Sequence, residues 1–150
     1  MSTLVNDVLI EQSGVIPIRE DAEGNVEVLL VTRSCGKGWT VPKGHVEADL
    51  SSEQSAAKEA LEEAGVLGVV HPEPVGSFGF TKGGRERTVA LFAMSVTCEL
   101  DGWPEMGRRD RRWVPMHEAR WMVHRHEMGQ IIAELARRLE LAIFPRLAAA

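Results

Sequence analysis

The chain contains 150 residues, a length typical of one domain that can bury a hydrophobic core without disulfide or metal staples. Hydrophobic residues make up 44% of it and charged residues 26%, as in an ordinary water-soluble globular protein. The formal net charge of −5 argues against a general nucleic-acid-binding surface, and we expect no nucleic-acid partner.

The two cysteines, Cys35 and Cys98, are too few for a disulfide framework, which favours a reducing compartment and predicts a cytoplasmic protein. We expect both to be small buried or half-buried side chains, as free cysteines usually are. The first residues carry acids at Asp7 and Glu11 and no basic stretch before an apolar one, so no signal peptide is predicted. No apolar run approaches the length that spans a bilayer, and we expect no membrane partner.

Two strands are predicted in the first part of the chain, at Gly14–Arg19 and Val26–Thr32, joined by a turn at Asp21–Asn25. The second strand is dense in β-branched and apolar residues, which is typical of a buried strand. A short strand is expected at Trp39–Val41, and Pro42 ends it because proline has no N–H to donate.

A helix is predicted from the serine pair Ser51 and Ser52 to about Ala64. Ser51 and Gln54 have the spacing of a capping box, and Gly65 fits the position just past a helix end. Small residues at helical spacing predict a face that can lie close against a sheet. These residues are Ala56, Ala57, Ala60, Leu61 and Ala64.

The second half of the chain alternates between further strands and helices. We predict strands at Gly68–His71, Val75–Phe80, Thr88–Thr97 and Arg112–Pro115, and helices at Met116–His124 and Glu127–Ala142. Strands on both sides of a central helix, closed by a C-terminal helix, predict an α/β fold, a sandwich with a mixed sheet. In the absence of a repeat or linker, residues 1–150 are interpreted as one domain with its core at about 13–142.

Three carboxylates fall in the last turn of the central helix, at Glu59, Glu62 and Glu63. Their i, i+3, i+4 spacing places them on one helix face. A helix carboxyl end disfavours anions by roughly 0.3–1 kcal/mol each, and each like-charge pair costs about 0.2–0.5 kcal/mol more. A hard divalent cation removes this conflict because it prefers carboxylate oxygens. On spacing alone, a solvated glutamate-rich face is the more common interpretation.

The frame around these glutamates resembles the Nudix box, the signature of the Nudix hydrolase superfamily. The residues in register with it are Gly44, Glu59, Ala60, Glu62, Glu63, Gly65 and Val66. Two positions depart from the pattern, because Leu50 stands where it has its first Glu and Lys58 stands where it has Arg. Lys58 keeps the charge but loses the bidentate fork, and Leu50 can bind neither a metal nor an Arg. Whether Glu47 or Asp49 covers part of that role stays open at this point.

The resemblance implies a Nudix-type α/β/α sandwich and a metal-dependent pyrophosphohydrolase. Carried over by position, it makes Glu59, Glu63 and the carbonyl of Gly44 ligands of Mg²⁺ or Mn²⁺. It makes Glu62 the catalytic base, although Glu62 and Glu63 could exchange roles. In this scheme the cation neutralises phosphate charge and lowers the pKa of a bound water, a carboxylate helps remove its proton, and the water attacks phosphorus in line.

Motifs outside the box resemble the diphosphoinositol polyphosphate phosphohydrolase-like branch of the superfamily. They are the segments 38–44 and 62–68, and Trp103-Pro104-Glu105 followed by Arg109, Arg111 and Trp113. The resemblance implies a small-molecule substrate such as a diphosphoinositol polyphosphate or a diadenosine polyphosphate, both densely anionic. Basic residues suit such ligands because Arg forks grip phosphate bidentately. The expected substrate contacts are Arg33, Lys43, Arg85 and Arg109.

The aromatic residues slightly disfavour a nucleotide substrate without excluding it, since the chain has no Tyr, four Phe and four Trp. Trp39 and Trp113 are interpreted as packing anchors, and Phe78 and Phe80 as core-side residues of one strand. Three histidines near the C-terminus, His117, His124 and His126, lack the i, i+4 spacing of metal ligands, and we interpret them as helix-surface residues.

Two other interpretations stay open. One is a weakly active or inactive Nudix module that binds a nucleotide-like ligand as a sensor, an alternative that Leu50 and Lys58 keep open. The other is a different Nudix substrate, such as ADP-ribose, a dinucleotide cofactor or a damaged nucleoside triphosphate. The sequence predicts no oligomeric state.

Overall fold

The computed structural model describes residues 3–5 and 8–141. Their strands are β1 (Thr3–Val5), β2 (Val8–Ile10), β3 (Gln12–Glu20), β4 (Val26–Thr32), β5 (Trp39–Thr40), β6 (Lys43–His45), β7 (Val66–Val70), β8 (Gly76–Lys82), β9 (Arg85–Glu99) and β10 (Arg111–Pro115). Their helices are α1 (Ser52–Glu59), which continues into a π-helical turn (Ala60–Ala64), α2 (Met116–Met122) and α3 (His126–Glu140). This arrangement confirms the predicted α/β fold with a mixed sheet.

Strands β3 to β10, counted among the described residues, form one mixed sheet, and β1 and β2 form a separate hairpin. The main path across the sheet is β10-β4-β3-β9-β7, with β5 paired to β4, β6 to β3 and β8 to β9. The central strands β3 and β9 run parallel, with Val15 opposite Phe92. Strand β6 runs antiparallel to the start of β3, which places Gly44 opposite Ser13 and therefore beside a central strand.

Alternation along the central strands sends side chains to two cores, one on each face of the sheet. On one face, Val15 and Leu29 pack with fully buried alanines of α1 and the π turn. Those small side chains let the helix lie close to the sheet, as the sequence predicts. The other face packs against α2 and α3, through a cluster that includes Ile16, Ile18, Met128, Ile132 and Leu135.

The structure differs from the sequence prediction at several elements. The sequence prediction omits β1, β2 and β6. Strand β6 is missed because it has only three residues centred on a glycine and shows no apolar alternation. Helix α2 ends at Met122, so His124 lies in the connection to α3 and its interpretation as a helix-surface residue is wrong. Ala142, the predicted end of the last helix, lies outside the described residues.

The predicted burial of the two cysteines is also wrong. Cys35 and Cys98 are both free and exposed. Cys35 lies in the loop after β4, and Cys98 lies near the end of β9, beyond the part of that strand that contributes to the cores. In the part of the chain that the structure describes, no helix combines the length and apolar character needed to cross a membrane.

Candidate active site

The glutamate helix changes its winding where its carboxylates begin. Helix α1 starts with the predicted capping box, in which Gln54 N–H donates to Ser51 Oγ and Ser51 N–H donates to the Gln54 side chain. The α-helix ends at Glu59, and a π-helical turn carries the chain to Gly65, whose φ of 64° gives the left-handed end. A π turn holds more residues per turn than an α turn. Two residues three positions apart are therefore separated by a larger angle about the helix axis than in an α-helix. Single π turns inside α-helices occur frequently at functional sites.

The carbonyls at the end of this helix are satisfied by the segment that precedes β10. The amide of Glu105 donates to Glu62 O at 3.0 Å, and Trp103 Nε1 donates to Glu63 O at 3.0 Å. Arg111 Nη1 donates to Ala64 O at 2.9 Å, and its guanidinium lies over the Trp103 ring. These donors and the Arg111 charge oppose the unfavourable dipole that glutamates meet at a helix carboxyl end.

The carboxyl group of Glu59 lies directly against Gly44. A Cβ added to Gly44 would overlap this carboxyl group, so only glycine fits at that position without displacing it. Burial raises the pKa of Glu59, and the negative charge of Glu62 raises it further. The residue thus combines partial burial with a close approach to the Gly44 backbone.

Glu63 is the buried member of the three glutamates, with 5% of its surface exposed. The amide of Lys43 donates to its Oε2 at 3.2 Å, and Arg109 Nη2 lies 3.3 Å from its Oε1. Burial raises the pKa of Glu63 to about 8, although the positive charge of Arg109 opposes this rise. The effect of burial on the pKa of Glu63 therefore exceeds the opposing effect of Arg109.

Glu62 has a different environment from its neighbours, because its side chain is half-exposed. Lys58 lies 3.8 Å from its carboxylate and 2.7 Å from that of Glu47, which precedes α1 in the chain. The structure thereby identifies Glu47 as the partner of Lys58, while Leu50 is half-buried. This ion pair ties the loop before α1 to the helix, although it is solvent-exposed and of modest energy.

A hard divalent cation fits this donor set. Among residues 3–5 and 8–141, no three His, Cys, Asp or Glu side chains lie close enough together to form a metal cluster. Mg²⁺ is commonly held by only one or two carboxylates and retains several waters. Glu59 lies against Gly44 and Glu63 accepts the N–H of Lys43, so both carboxylates lie close to one short stretch of backbone, where the Gly44 carbonyl is a candidate further hard oxygen donor.

A depression of about 300 Å³, called the cleft below, opens beside Glu63. Its described lining consists of Arg33, Ser34, Thr40, Val41, Lys43, Glu63, Phe78, Phe80, Thr81, Lys82, Arg109, His124 and Arg125. The structure thus brings together three of the four predicted substrate contacts, Arg33, Lys43 and Arg109. The fourth, Arg85, is not among these lining residues, and its guanidinium lies 3.6 Å from Glu11 at the β8–β9 hairpin.

Sequence reasoning misses several residues of the cleft. Arg125 lies in the α2–α3 connection with its guanidinium 4.9 Å from the Phe80 ring centre and 5.9 Å from that of Phe78. Partial desolvation lowers the pKa of His124, and the positive charges of the cleft lower it further. The sequence predicts the break between the two helices at residues 125–126, but nothing in its pattern indicates that His124 and Arg125 line the cleft. Glu105 belongs to a motif that the sequence does single out, but its tie to Glu62 appears only in the fold.

The chain is similar in sequence to known proteins. Residues 11–139 match the NUDIX domain family. Nudix hydrolase 4 of Arabidopsis thaliana is 42% identical over 98 residues, which cover 63% of this chain and 46% of that protein. Diphosphoinositol polyphosphate phosphohydrolase 3-alpha of Mus musculus is 31% identical over 128 residues, which cover 83% of this chain and 75% of that protein. The present chain thus spans less than half the length of the first of these relatives.

A solved structure of an Ap4A hydrolase from C. elegans resembles the chain in fold. The TM-score is 0.71, and the match covers 87% of this chain and 98% of the other. Because the two sequences are only 22% identical, this likeness concerns the fold alone.

Proposed function

Because this chain belongs to the Nudix family, we propose that it is a divalent-metal-dependent hydrolase of a phosphoanhydride bond in a small polyphosphorylated molecule. One observation carries the proposal. The buried carboxylate of Glu63 faces a cleft whose other charged side chains are cationic, with Glu59 and Glu62 one helical turn or less away. Such a site presents hard oxygen donors and phosphate-binding cations to the same ligand.

We assign the metal ligands to Glu59, Glu63 and the carbonyl of Gly44, with Mg²⁺ or Mn²⁺ as the cation. When bound, this cation supplies charge neutralisation for the phosphate groups and acidifies a water. Glu62 is our candidate base, which orients the attacking water and accepts its proton. Its half-exposed carboxylate can reach such a water more readily than the enclosed carboxylate of Glu63, which supports this division of roles.

The substrate's phosphates bind, in our proposal, to Arg33, Lys43 and Arg109. All three line the cleft, and Arg109 still has guanidinium N–H groups to donate after its contacts within the protein. Arg125 and Lys82 extend this cationic lining. Arg85 stays a prediction as a fourth contact, since its position at the hairpin requires a long ligand.

For the substrate class we propose an inositol or nucleoside polyphosphate. The relative named as a diphosphoinositol polyphosphate phosphohydrolase supports the first of these. The cleft offers little stacking surface to a base, because the guanidinium of Arg125 lies over Phe80 and Phe78 belongs to the hydrophobic core. This arrangement favours the inositol polyphosphate over the nucleotide.

A weakly active binding module is the second candidate, favoured by the half-buried Leu50 and by the exposed ion pair of Lys58 with Glu47. In that case the cleft would bind a nucleotide-like ligand without turnover. The ordered contacts of Glu59 and Glu63 favour the enzyme instead.

The deciding experiment measures product release from a panel with Mg²⁺ or Mn²⁺, comprising inositol pyrophosphates, diadenosine polyphosphates, ADP-ribose and nucleoside triphosphates. For the best substrate, Glu62→Gln should lower kcat by about 10²- to 10⁴-fold, as expected for a lost general base. Binding of a non-hydrolysable analogue should be largely kept. Glu53→Gln, in the first turn of the same helix, is the matched control. Absence of turnover on the whole panel, with retained binding of one ligand, would establish the second candidate.

A further inference from the structure

Arg109 forms an ion pair with the carboxylate that we assign to the metal. Its Nη2 lies 3.3 Å from Glu63 Oε1, and the two side chains are only 14% and 6% exposed. The other oxygen of Glu63 accepts the N–H of Lys43. The guanidinium therefore faces the carboxylate oxygen that this backbone donor leaves free.

Arg109 is held in this position by two further acceptors. Its Nε donates to Glu105 Oε1 at 2.9 Å, and its Nη1 donates to the carbonyl oxygen of Thr32 at 2.8 Å. Glu105 is itself tied to the glutamate helix through its amide, which donates to Glu62 O. The guanidinium is consequently fixed by contacts to β4, to the segment before β10 and to the π turn.

A buried carboxylate requires compensation of its charge, either by a partner or by protonation. Two cations can supply that compensation at Glu63, namely the guanidinium of Arg109 and a divalent metal ion. Both are drawn to the same group, and screening by salt is weak for buried charges. Whatever stabilises the metal-free protein at this carboxylate lowers its apparent affinity for the metal.

We propose that Arg109 is the resident counter-cation of Glu63, a positioning residue that pairs with this carboxyl group in the metal-free protein and competes with the divalent cation for it. The inference rests on the proposed role of Glu63 as a metal ligand. It assigns to Arg109 an effect on metal affinity that is separate from any contact with substrate.

The test measures Mn²⁺ binding to the full chain by titration calorimetry, without substrate, in the wild type and in Arg109→Met. Methionine keeps most of the side-chain length and removes the charge. We expect Mn²⁺ to bind about tenfold more tightly to the variant, within the range of coupling between contacting groups. The metal-free variant should melt at a lower temperature, and Mn²⁺ should raise its melting temperature more than that of the wild type. A merely damaged fold would bind Mn²⁺ more weakly, so the sign of the change separates the two explanations.

Lys82→Met is the matched control, because Lys82 lines the same cleft whereas Arg109 is the cation within ion-pair distance of Glu63. If Arg109→Met and Lys82→Met tighten Mn²⁺ binding by the same factor, the change reflects the positive charge of the cleft in general, and the proposal is overturned. Unchanged or weaker Mn²⁺ binding by Arg109→Met overturns it as well. If Arg109→Met does not fold, Arg109→Lys replaces it, since an ammonium group cannot hold three acceptors in a fork. The proposal is supported if Arg109→Lys binds Mn²⁺ more tightly than the wild type, by less than the tenfold expected for Arg109→Met. Mn²⁺ binding by Arg109→Lys that is equal to or weaker than that of the wild type contradicts the proposal.

The variant Glu63→Gln distinguishes a failure of the counter-cation role of Arg109 from a failure of the proposed function. If this variant binds Mn²⁺ as tightly as the wild type, Glu63 is not a metal ligand and the proposed metal site is wrong. If it binds Mn²⁺ weakly while Arg109→Met shows no tightening, the metal site stands and the counter-cation role of Arg109 is wrong.

Discussion

Two depressions in the surface of this protein differ in size and in charge. The cleft beside Glu63 measures about 300 Å³, whereas a depression of about 770 Å³, which we call the groove, lies between the β3–β4 turn and helices α2 and α3. Of the described residues that line the cleft, five are Lys or Arg and Glu63 is the acid. The described lining of the groove mixes both signs, with the acids Asp21, Glu27 and Glu140 and the cations Arg120 and Arg137.

The difference shows that volume alone does not mark the site. In the groove, neighbouring acids and bases can neutralise one another, so the groove presents little net field to a ligand. In the cleft, the cations outnumber the acid, which leaves positive charge for phosphate groups. The buried carboxylate of Glu63 among these cations then gives the cleft a second, cation-binding character. Mutations in the two depressions should accordingly have unequal effects on activity.

Among the variants that compare the cleft with the groove, Glu63→Gln should have the largest effect on the proposed hydrolysis. The amide keeps the shape of the side chain but removes the charge that balances a metal ion and Arg109. We expect kcat/KM to fall by about 10²- to 10³-fold, the size typical of a lost electrostatic contact in an active site. Steady-state assays on the best substrate measure this, with Glu140→Gln in the groove as the control. Equal losses in the two variants would erase the distinction between cleft and groove.

Gly44→Ala should act almost as strongly through geometry alone. The added methyl group would overlap the carboxyl group of Glu59 and displace it from its place against Gly44. A displacement of about 1 Å can reduce the rate by about 10²-fold, and we expect a loss of that order. Gly102→Ala is the control, because nothing lies within 4 Å of a Cβ at that position. Wild-type kinetics in Gly44→Ala would mean that the placement of Glu59 beside Gly44 is not needed for turnover.

Much of the glutamate helix could be predicted from the sequence because its signals are local. The capping box at Ser51, the alanine face and the left-handed Gly65 each depend on residues within one helix, and all are present in the structure. The change to π winding at Ala60 is not visible in the pattern. Within this turn Glu62 is half-exposed and Glu63 is buried, a distinction that i, i+3, i+4 spacing alone does not make.

The rest of the site depends on contacts between distant parts of the chain. Arg109 reaches Glu63 and Thr32 only because β10 pairs with β4 and brings the preceding segment to the helix end. Arg125 enters the cleft from a connection whose length is set by where α2 ends. Sequence spacing carries no information about either contact, which explains why Arg109 is predicted through the family resemblance and Arg125 is not predicted at all.

Arg125→Met should have a smaller effect that appears mainly in KM. The guanidinium lies over Phe80 in the cleft and belongs to none of the groups that we assign to the chemical step. Loss of one charge-assisted phosphate contact should raise KM about tenfold and leave kcat within a few-fold of wild type. Arg137→Met removes a cation from the groove instead and should leave both constants near wild type. A fall in kcat without a rise in KM would place Arg125 in the chemical step and contradict our assignment.

The smallest expected effect concerns the stability of α3 beside the groove, where Glu134 pairs with Arg137, which lines the groove, and with Arg138. Its carboxylate lies 2.6 Å from Arg137 and 3.0 Å from Arg138, and these hydrogen bonds lower the pKa of Glu134 to about 2. A depressed pKa means that the ionised form stabilises the fold, so the contribution is fully present above the ordinary value of about 4.5 and is lost as pH falls through about 2. The pair is solvent-exposed, which keeps the contribution small.

Glu134→Gln should therefore lower the melting temperature slightly at pH 7, and thermal melts should show the gap to wild type closing as the pH is lowered from 4.5. A gap that widens with acid would contradict the ion-pair explanation, whereas unchanged turnover at pH 7 would indicate that these ion pairs of α3 serve the fold.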